Sequence, residues 1–423
     1  MLPVKILSLM MAFHFNPNTL LAIALRGSSL LSKFALLFIL SAQDDPKILV
    51  SYTVMFSIIV YSLYIINFDL YTYTTRILSH AEKENRGPIV LQHINSTLIL
   101  CVITIPLLYA FFLFNYIDKN DLFYFYIILI LEFSSTEIYR YLVACKEQNK
   151  ANLYIFLKSS LWVFIFIIIV LIKRDVNIIE LYDTWLYGQL VVLILSFFFI
   201  KNTVTFKKTY KYSISQLLTS IKVSIPILIG TLAIRGIFTF DRIYISNDVD
   251  IIFSSAYMFF STLSGATLTF VDAILLIVII PKLVSLSNNT NQHCKEFRVF
   301  ILRLIFVSGI ISILVMLISL IISFFPSYDR YSEYRYLILY CSTSMFIFIL
   351  SQGFSIYFYS RSNDGVNIKI NILSFLLFII LANIFPSKNI PALVFLTMLT
   401  ILASKAYVYY IYNRHESLHD KLQ

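Results

Sequence analysis

The sequence predicts an all-α integral membrane protein: about twelve transmembrane helices in two six-helix, pseudo-symmetric bundles. Three observations carry this. Hydrophobic residues make up 59% of the chain and charged residues 13%, with a mean hydropathy of +0.82, whereas soluble domains hold about 45–50% apolar and about 25% charged residues. Apolar runs long enough to cross a bilayer as helices recur from end to end. The links between those runs alternate between rich and poor in Lys and Arg.

A span and its link take roughly 30–35 residues, so the 423 residues give the helix count. The spans are placed at 19–40, 48–69, 89–114, 121–143, 153–172, 185–201, 223–245, 253–280, 299–325, 335–358, 368–385 and 391–411. The lead-in MLPVKILSLMMAFHF carries a Lys and a short apolar stretch. No small-residue cleavage site follows, so it reads as an uncleaved interfacial approach to the first helix.

One set of links holds Arg76, Lys83 and Arg86; Lys146 and Lys150; Lys201, Lys207, Lys208, Lys211 and Lys222; Lys282, Lys295 and Arg298; Arg361 and Lys369; and the tail's Arg414 and Lys421. The other holds Lys47, Lys119, Lys173, Arg174, Arg330, Arg335 and Lys388. The positive-inside rule makes the first set cytoplasmic, with both termini inside, as an even helix count requires. The formal charge of +10 thus reports topology and no nucleic-acid partner. The non-cytoplasmic links are short and leave no external domain for catalysis.

No nucleotide-loop, HExxH or nucleophile motif is present, and no enzyme is expected. Cys101, Cys145, Cys294 and Cys341 have no paired spacing and read as free thiols, without a metal or disulfide role. His415 and His419, four apart in the tail, read as a solvated helix end.

The first span carries cations inside its apolar run. ALRGSSLLSK (24–33) aligns with AIRGIFTFDR (233–242), placing Arg26 on Arg235, Gly27 on Gly236 and Lys33 on Arg242, 209 positions later. The matched spans are the first and the seventh. This predicts a bundle over 1–201, a basic cytoplasmic linker over 202–222 and a second bundle over 223–423, as parallel repeats build other transporters. Residues seven apart share nearly one helix face, so Arg26 and Lys33 form one stripe and Arg235 and Arg242 another. Each Arg or Lys at mid-membrane costs roughly 2.5–3.5 kcal/mol on insertion scales. Two readings stand: snorkelling toward the interfaces, or a hydrated, cation-lined cavity suited to an anion.

Acids accompany them. Asp69 and Arg76 are seven apart at the end of the second span. The fourth holds Glu132, Glu137 and Arg140, the last two spaced for an ion pair. Asp272 lies in the eighth span, and Asp241 beside Arg242 but about 100° round the helix. These acids either balance the cations or bind a coupling proton or Na⁺, with Asp69, Glu132 and Asp272 the leading coupling candidates. Tyr and Phe are abundant; Tyr either stacks on sugar rings inside a cavity or joins Phe in interfacial belts and lipid-facing packing.

The layout resembles the Wzx-type O-antigen and capsule repeat-unit flippases, in the polysaccharide-export branch of the MATE-like (MOP) superfamily. The likeness rests on the cation-bearing first span with its short polar exit (RGSSLLSKFALLFILSAQDD), on EIYRYLVACKEQNKANLY, where Glu-x-x-Arg runs into a basic loop, and on IIPKL after the eighth span. Many members have a Gly where the second span begins; this chain reads DDPKILVSY there.

The resemblance implies transfer of an undecaprenyl-pyrophosphate-linked oligosaccharide from the cytoplasmic to the periplasmic leaflet of the bacterial inner membrane. It implies alternating access driven by an ion gradient, with no cofactor beyond H⁺ or Na⁺. Arg26, Lys33, Arg235 and Arg242 would contact the headgroup. The implied partners are the lipid-linked glycan, membrane lipids, a polysaccharide polymerase and a chain-length regulator. The rivals are a MATE-type drug or cation antiporter, whose cargo favours an acidic or neutral cavity; a polymerase, ligase or glycosyltransferase, which needs a large external loop; and a lipid II flippase, typically two helices longer.

Overall fold

The computed structural model describes residues 17–173, 176–201, 203–204, 211–247, 250–287, 289–361 and 363–419. Among them, 12 helices are long and apolar enough to cross a membrane, in the expected number and order. The lead-in before Pro17, residues 202 and 205–210 of the expected linker, and the side chains of His415 and His419 lie outside the described residues.

The main helices are α1 (Pro17–Ala42), α2 (Lys47–Ile66), α3 (Tyr71–His80), α4 (Arg86–Leu107), α5 (Leu122–Ala144), α6 (Gln148–Lys173), α7 (Ile178–Ile200), α8 (Ile214–Ser246), α9 (Ile251–Val271), α10 (Ile277–Ser285), α11 (Thr290–Ile322), α12 (Tyr336–Ser360), α13 (Asp364–Ile384) and α14 (Ile390–His419). Several starts are capped by side chains that accept the orphan N–H groups of a first turn. Asn177 and Glu180 form a capping box on α7. Asp250 accepts from the amides of Ile252 and Phe253 at α9, and Asn289 from that of Gln292 at α11. Asp250 also accepts from the Tyr334 hydroxyl at 2.5 Å, and that bond pushes the phenol up to about 12.

The second span ends earlier than its apolar run suggests. The chain breaks over 67–70, where Asn67 Oδ1 accepts from the Asp69 amide and Phe68 and Asp69 take φ of 51° and 57°. Left-handed backbone is unfavourable for Phe and better tolerated by Asp. Asp69 and Arg76 therefore do not share a helix face, as the seven-residue spacing suggests; Arg76 belongs to α3, beyond the break. Asp272 opens a π-helical turn, Asp272–Leu276, between α9 and α10.

Contacts divide the chain into two compact units that do not coincide with the sequence halves. One takes in the chain up to Leu36, Tyr71–Asn95 and Tyr126–Ser213; the other Leu37–Leu70, Ser96–Phe125 and the chain from Ile214 on. The segments 37–70 and 96–125 group with the later helices because α2 packs on α8 and α9. Tyr61 meets Phe240 edge-on at 6.1 Å. Within this second unit the end of α1 is capped from the link Pro326–Tyr334. The Arg330 guanidinium donates to the carbonyls of Ser41, Gln43 and Asp44. Its apolar core includes Phe297, Phe300, Leu304, Ile349 and Tyr357.

In the first unit α6 and α7 lie side by side. Trp162 and Trp185 stack with ring centroids 5.5 Å apart. That approach needs Gly188, where an added Cβ would meet Trp162 Cβ at 2.3 Å. Overpacking of this kind costs about 1–3 kcal/mol, so Gly188→Val lowers the thermal unfolding midpoint of the detergent-solubilised protein, while Gly27→Ala, with open space around it, leaves it nearly unchanged.

Candidate functional site

In the first unit, α1 presents Arg26 and Lys33 about 10 Å apart along one face, both exposed. Arg26 Nε donates to Asn152 Oδ1 on α6 at 3.0 Å. A neutral amide fixes the guanidinium without cancelling its charge. Between the cations, buried Ser29 turns back to the Leu25 carbonyl, and Ser32 Oγ lies 2.9 Å from Ser160 Oγ, tying α1 to α6. Lys33 lies within electrostatic reach of Lys158 and Glu132.

Glu132 is committed. Lys158 Nζ lies 2.9 Å from its Oε2, and Trp185 Nε1 donates to its Oε1 at 2.9 Å. Lys158 also donates to Thr136 Oγ1 at 2.5 Å, while Gln189 Nε2 holds the Lys158 carbonyl. Two cations, Lys33 and Lys158, thus face one carboxylate that already holds an ammonium. Lys158 escaped the sequence reading. Its signal was its position, a lysine inside the fifth apolar span, which by itself marks a partner or a site.

In the second unit, Arg235 is exposed, with its guanidinium carbon 5.1 Å from the Tyr64 ring centroid. Arg242 Nη1 donates to Ser57 Oγ at 2.7 Å, and its buried Nε has no protein partner. Asp241, its neighbour, accepts the Arg242 amide and the Tyr257 hydroxyl at 2.5 Å. These two cations therefore also lean on an aromatic face and a hydroxyl, both supplied by α2. The Arg26–Lys33 stripe belongs to the first unit and the Arg235–Arg242 stripe to the second.

The expected Glu137–Arg140 pair is present at 2.5 Å. It extends to His93, which the sequence reading missed, through Glu137 Oε2 and His93 Nε2 at 2.9 Å. Of the remaining candidates, Asp69 is buried and Asp272 exposed, and they stand on separate elements.

No family model matches this chain, and no curated protein matches it. Solved structures do. The chain is similar to an inward-facing conformation of a multidrug resistance MATE family transporter of the MOP superfamily (14% identity, TM-score 0.63, 98% of each chain covered). It is also similar to an outward-facing conformation of such a transporter (14% identity, TM-score 0.61, 94% of this chain and 93% of that one). A third is a MOP superfamily transporter from Pyrococcus furiosus whose binding pocket is described as of reverse polarity (15% identity, TM-score 0.60, 94% of each chain). The chain has the MATE transporter fold.

The ion pair beneath Lys33 yields a stability test. Both side chains are mostly buried, at 11% and 13% exposure, and removing one member of such a pair costs about 3–5 kcal/mol. Glu132→Gln lowers the unfolding midpoint sharply; adding Lys158→Met in the same chain restores most of the loss, as thermal melts in detergent would show.

Proposed function

We propose that this MATE-fold chain is a flippase for polyprenyl-pyrophosphate-linked oligosaccharide repeat units, carrying them from the cytoplasmic to the outer leaflet of a bacterial inner membrane. The observation that carries this reading is the Arg26–Lys33 stripe, exposed and held by a neutral amide. A pyrophosphate supplies the missing negative charge, and Arg matches phosphate oxygens with a bidentate fork. The glycan needs a wetted polar surface, and the polyprenyl tail stays in lipid. Arg235 beside Tyr64 offers a cation and an aromatic face, suited to phosphate and sugar together.

Alternating access is supported by the fold, which solved structures show in outward- and inward-facing forms. The basic links support a cytoplasmic placement of both termini, and an ion gradient supplies the drive. The 12 candidate spans among the described residues support this reading over a longer lipid II flippase.

The second reading, a MATE-type cation or drug antiporter, draws on the same fold and on the multidrug transporters that share it. It needs an available carboxylate. Glu132 is occupied by Lys158 and Trp185, which favours an anionic cargo.

Deletion of the gene is expected to trap complete lipid-linked repeat units and abolish surface glycan, measured by extraction of polyprenyl-linked saccharides. Raised drug sensitivity with an unchanged saccharide pool would establish the antiporter reading, and a single repeat unit still reaching the surface would indicate a polymerase. In complemented strains, Arg26→Ala and Arg235→Ala are each expected to cut export roughly tenfold, from loss of charged hydrogen bonds worth about 1.5–3 kcal/mol; export at wild-type level in both would overturn the headgroup assignment.

A further inference from the structure

In the second unit, α11 is longer than a bilayer needs. It runs 33 residues, Thr290–Ile322, about 50 Å at 1.5 Å per residue, against a hydrocarbon core about 30 Å thick. Its charges mark the part that lies outside. Lys295, Glu296, Arg298 and Arg303 all precede Leu304, and the stretch 304–322 carries no charged residue. That stretch rises about 28 Å, so Arg303 stands where the hydrocarbon begins.

Lys295, Arg298 and Arg303 are exposed, and among the described residues no carboxylate pairs with them. The acid in their midst, Glu296, already holds Lys282 Nζ of α10 at 2.7 Å. These cations therefore differ from Lys158 and Arg140, which face carboxylates within the chain. Beyond them, Leu302, Phe306, Ile310, Ile313 and Leu317 form one stripe along the helix, with Leu302 and Phe306 68% and 65% exposed. The opposite side, with Phe297, Phe300 and Leu304, enters the apolar core, where α11 packs on α9 and α12. The stripe is thus the side turned to lipid. It has a gap at Gly309, where an added Cβ would meet only Phe346 Cε2 of α12, at 3.8 Å.

We propose that the basic end of α11 and the apolar stripe beyond it bind one anionic phospholipid, with its phosphate on Arg303 and an acyl chain along the stripe over Gly309. The site concerns the lipid around the protein and does not rest on the transport reading.

Depth, charge and shape agree on this occupant. In a helix each Cα–Cβ bond tilts toward the N-terminus. The Arg303 side chain therefore leads away from the apolar run and carries its head to the level of the lipid phosphates. Its guanidinium offers a planar fork that fits two phosphate oxygens. Lys295 and Arg298 stand within about 12 Å of Arg303 along the axis and add positive charge. A zwitterionic headgroup brings its own ammonium into that field, whereas an anionic one does not. A soluble anion would meet the same cations but has no use for the apolar stripe. A second copy of α11 would set like charges against one another.

The test is native mass spectrometry of the full-length chain, delipidated in detergent and titrated with dioleoyl phosphatidylglycerol or dioleoyl phosphatidylcholine. The wild type is expected to retain one phosphatidylglycerol about tenfold more tightly than phosphatidylcholine. Arg303→Gln is expected to remove about that factor, the scale of a lost charged hydrogen bond, and Arg303→Lys, which keeps the charge without the fork, to remove part of it. Lys222→Gln, at an exposed lysine on α8, is expected to change nothing. Gly309→Leu, which fills the gap, is expected to weaken the dioleoyl lipid and to leave dihexanoyl phosphatidylglycerol unchanged. Because Arg303 holds no carboxylate of the chain, a thermal melt of lipid-free Arg303→Gln is expected to match the wild type; if that variant does not fold, Arg303→Lys carries the comparison. Equal retention of the two dioleoyl lipids overturns the proposal. So does an equal loss in Lys222→Gln, which would mean attraction to basic surface in general. Unchanged dioleoyl binding in Gly309→Leu overturns the seat for the acyl chain. Displacement by inorganic phosphate alone would make this a free-anion site. A two-chain mass without lipid, lost in Arg303→Gln, would make the face an interface between copies. Either result also overturns the proposal.

Discussion

Within hydrocarbon no water is at hand to satisfy a polar group, so every backbone donor and acceptor must find its partner inside the chain, and buried side chains are pressed to do the same. That constraint governs the whole molecule. It makes each span a helix, which settles the backbone. It also bends hydroxyls back onto the preceding turn, as Thr53 does to the Leu49 carbonyl and Ser57 to that of Thr53. It makes the treatment of each charge informative. Glu132 and Glu137 are fully engaged by Lys158, Trp185, His93 and Arg140. Arg330 spends its donors on the carbonyls that end α1.

The cations of the two stripes stand apart from this pattern. Arg26 leans on an amide, Arg235 on a ring face and Arg242 on a hydroxyl. The amide and the ring position Arg26 and Arg235 without neutralising them, while Arg242 also has the Asp241 carboxylate as its neighbour. Glu132 and Glu137 secure packing between helices, whereas Arg26 and Arg235 are held by groups without charge. The two stripes differ in their setting: Gly236, beside Arg235, is pressed against Phe375, whereas Gly27, beside Arg26, faces open space. Aligned sequence has here been set in unlike surroundings.

Much of this fold could be read from the chain because hydropathy is a one-dimensional signal: a span announces itself by its own residues. The break at 67–70 could not be read that way. INFDLY continues the apolar run, and the turn depends on Asn67 capping the Asp69 amide, a local choice that hydropathy does not register. The grouping of 37–70 with the later helices also escaped, since it depends on which helix faces which. The site divides along the same line. Arg26, Lys33, Arg235 and Arg242 stood out as charges in apolar runs, and Glu137–Arg140 as a helical spacing. Lys158 and His93 become meaningful only through partners 26 and 44 positions away, a distance that no periodicity in the sequence records.

Asn152 has a consequence for the resting protein. Because it steadies Arg26 without supplying negative charge, the guanidinium keeps a local positive field on α1. Mobile anions will crowd that surface and metal or organic cations will be thinned out near it, within a Debye length of about 8 Å at physiological salt. On the proposed reading, the first event at this surface is an exchange: an incoming pyrophosphate displaces small counter-ions already gathered there. The release of those ions would make capture depend on the salt around the protein.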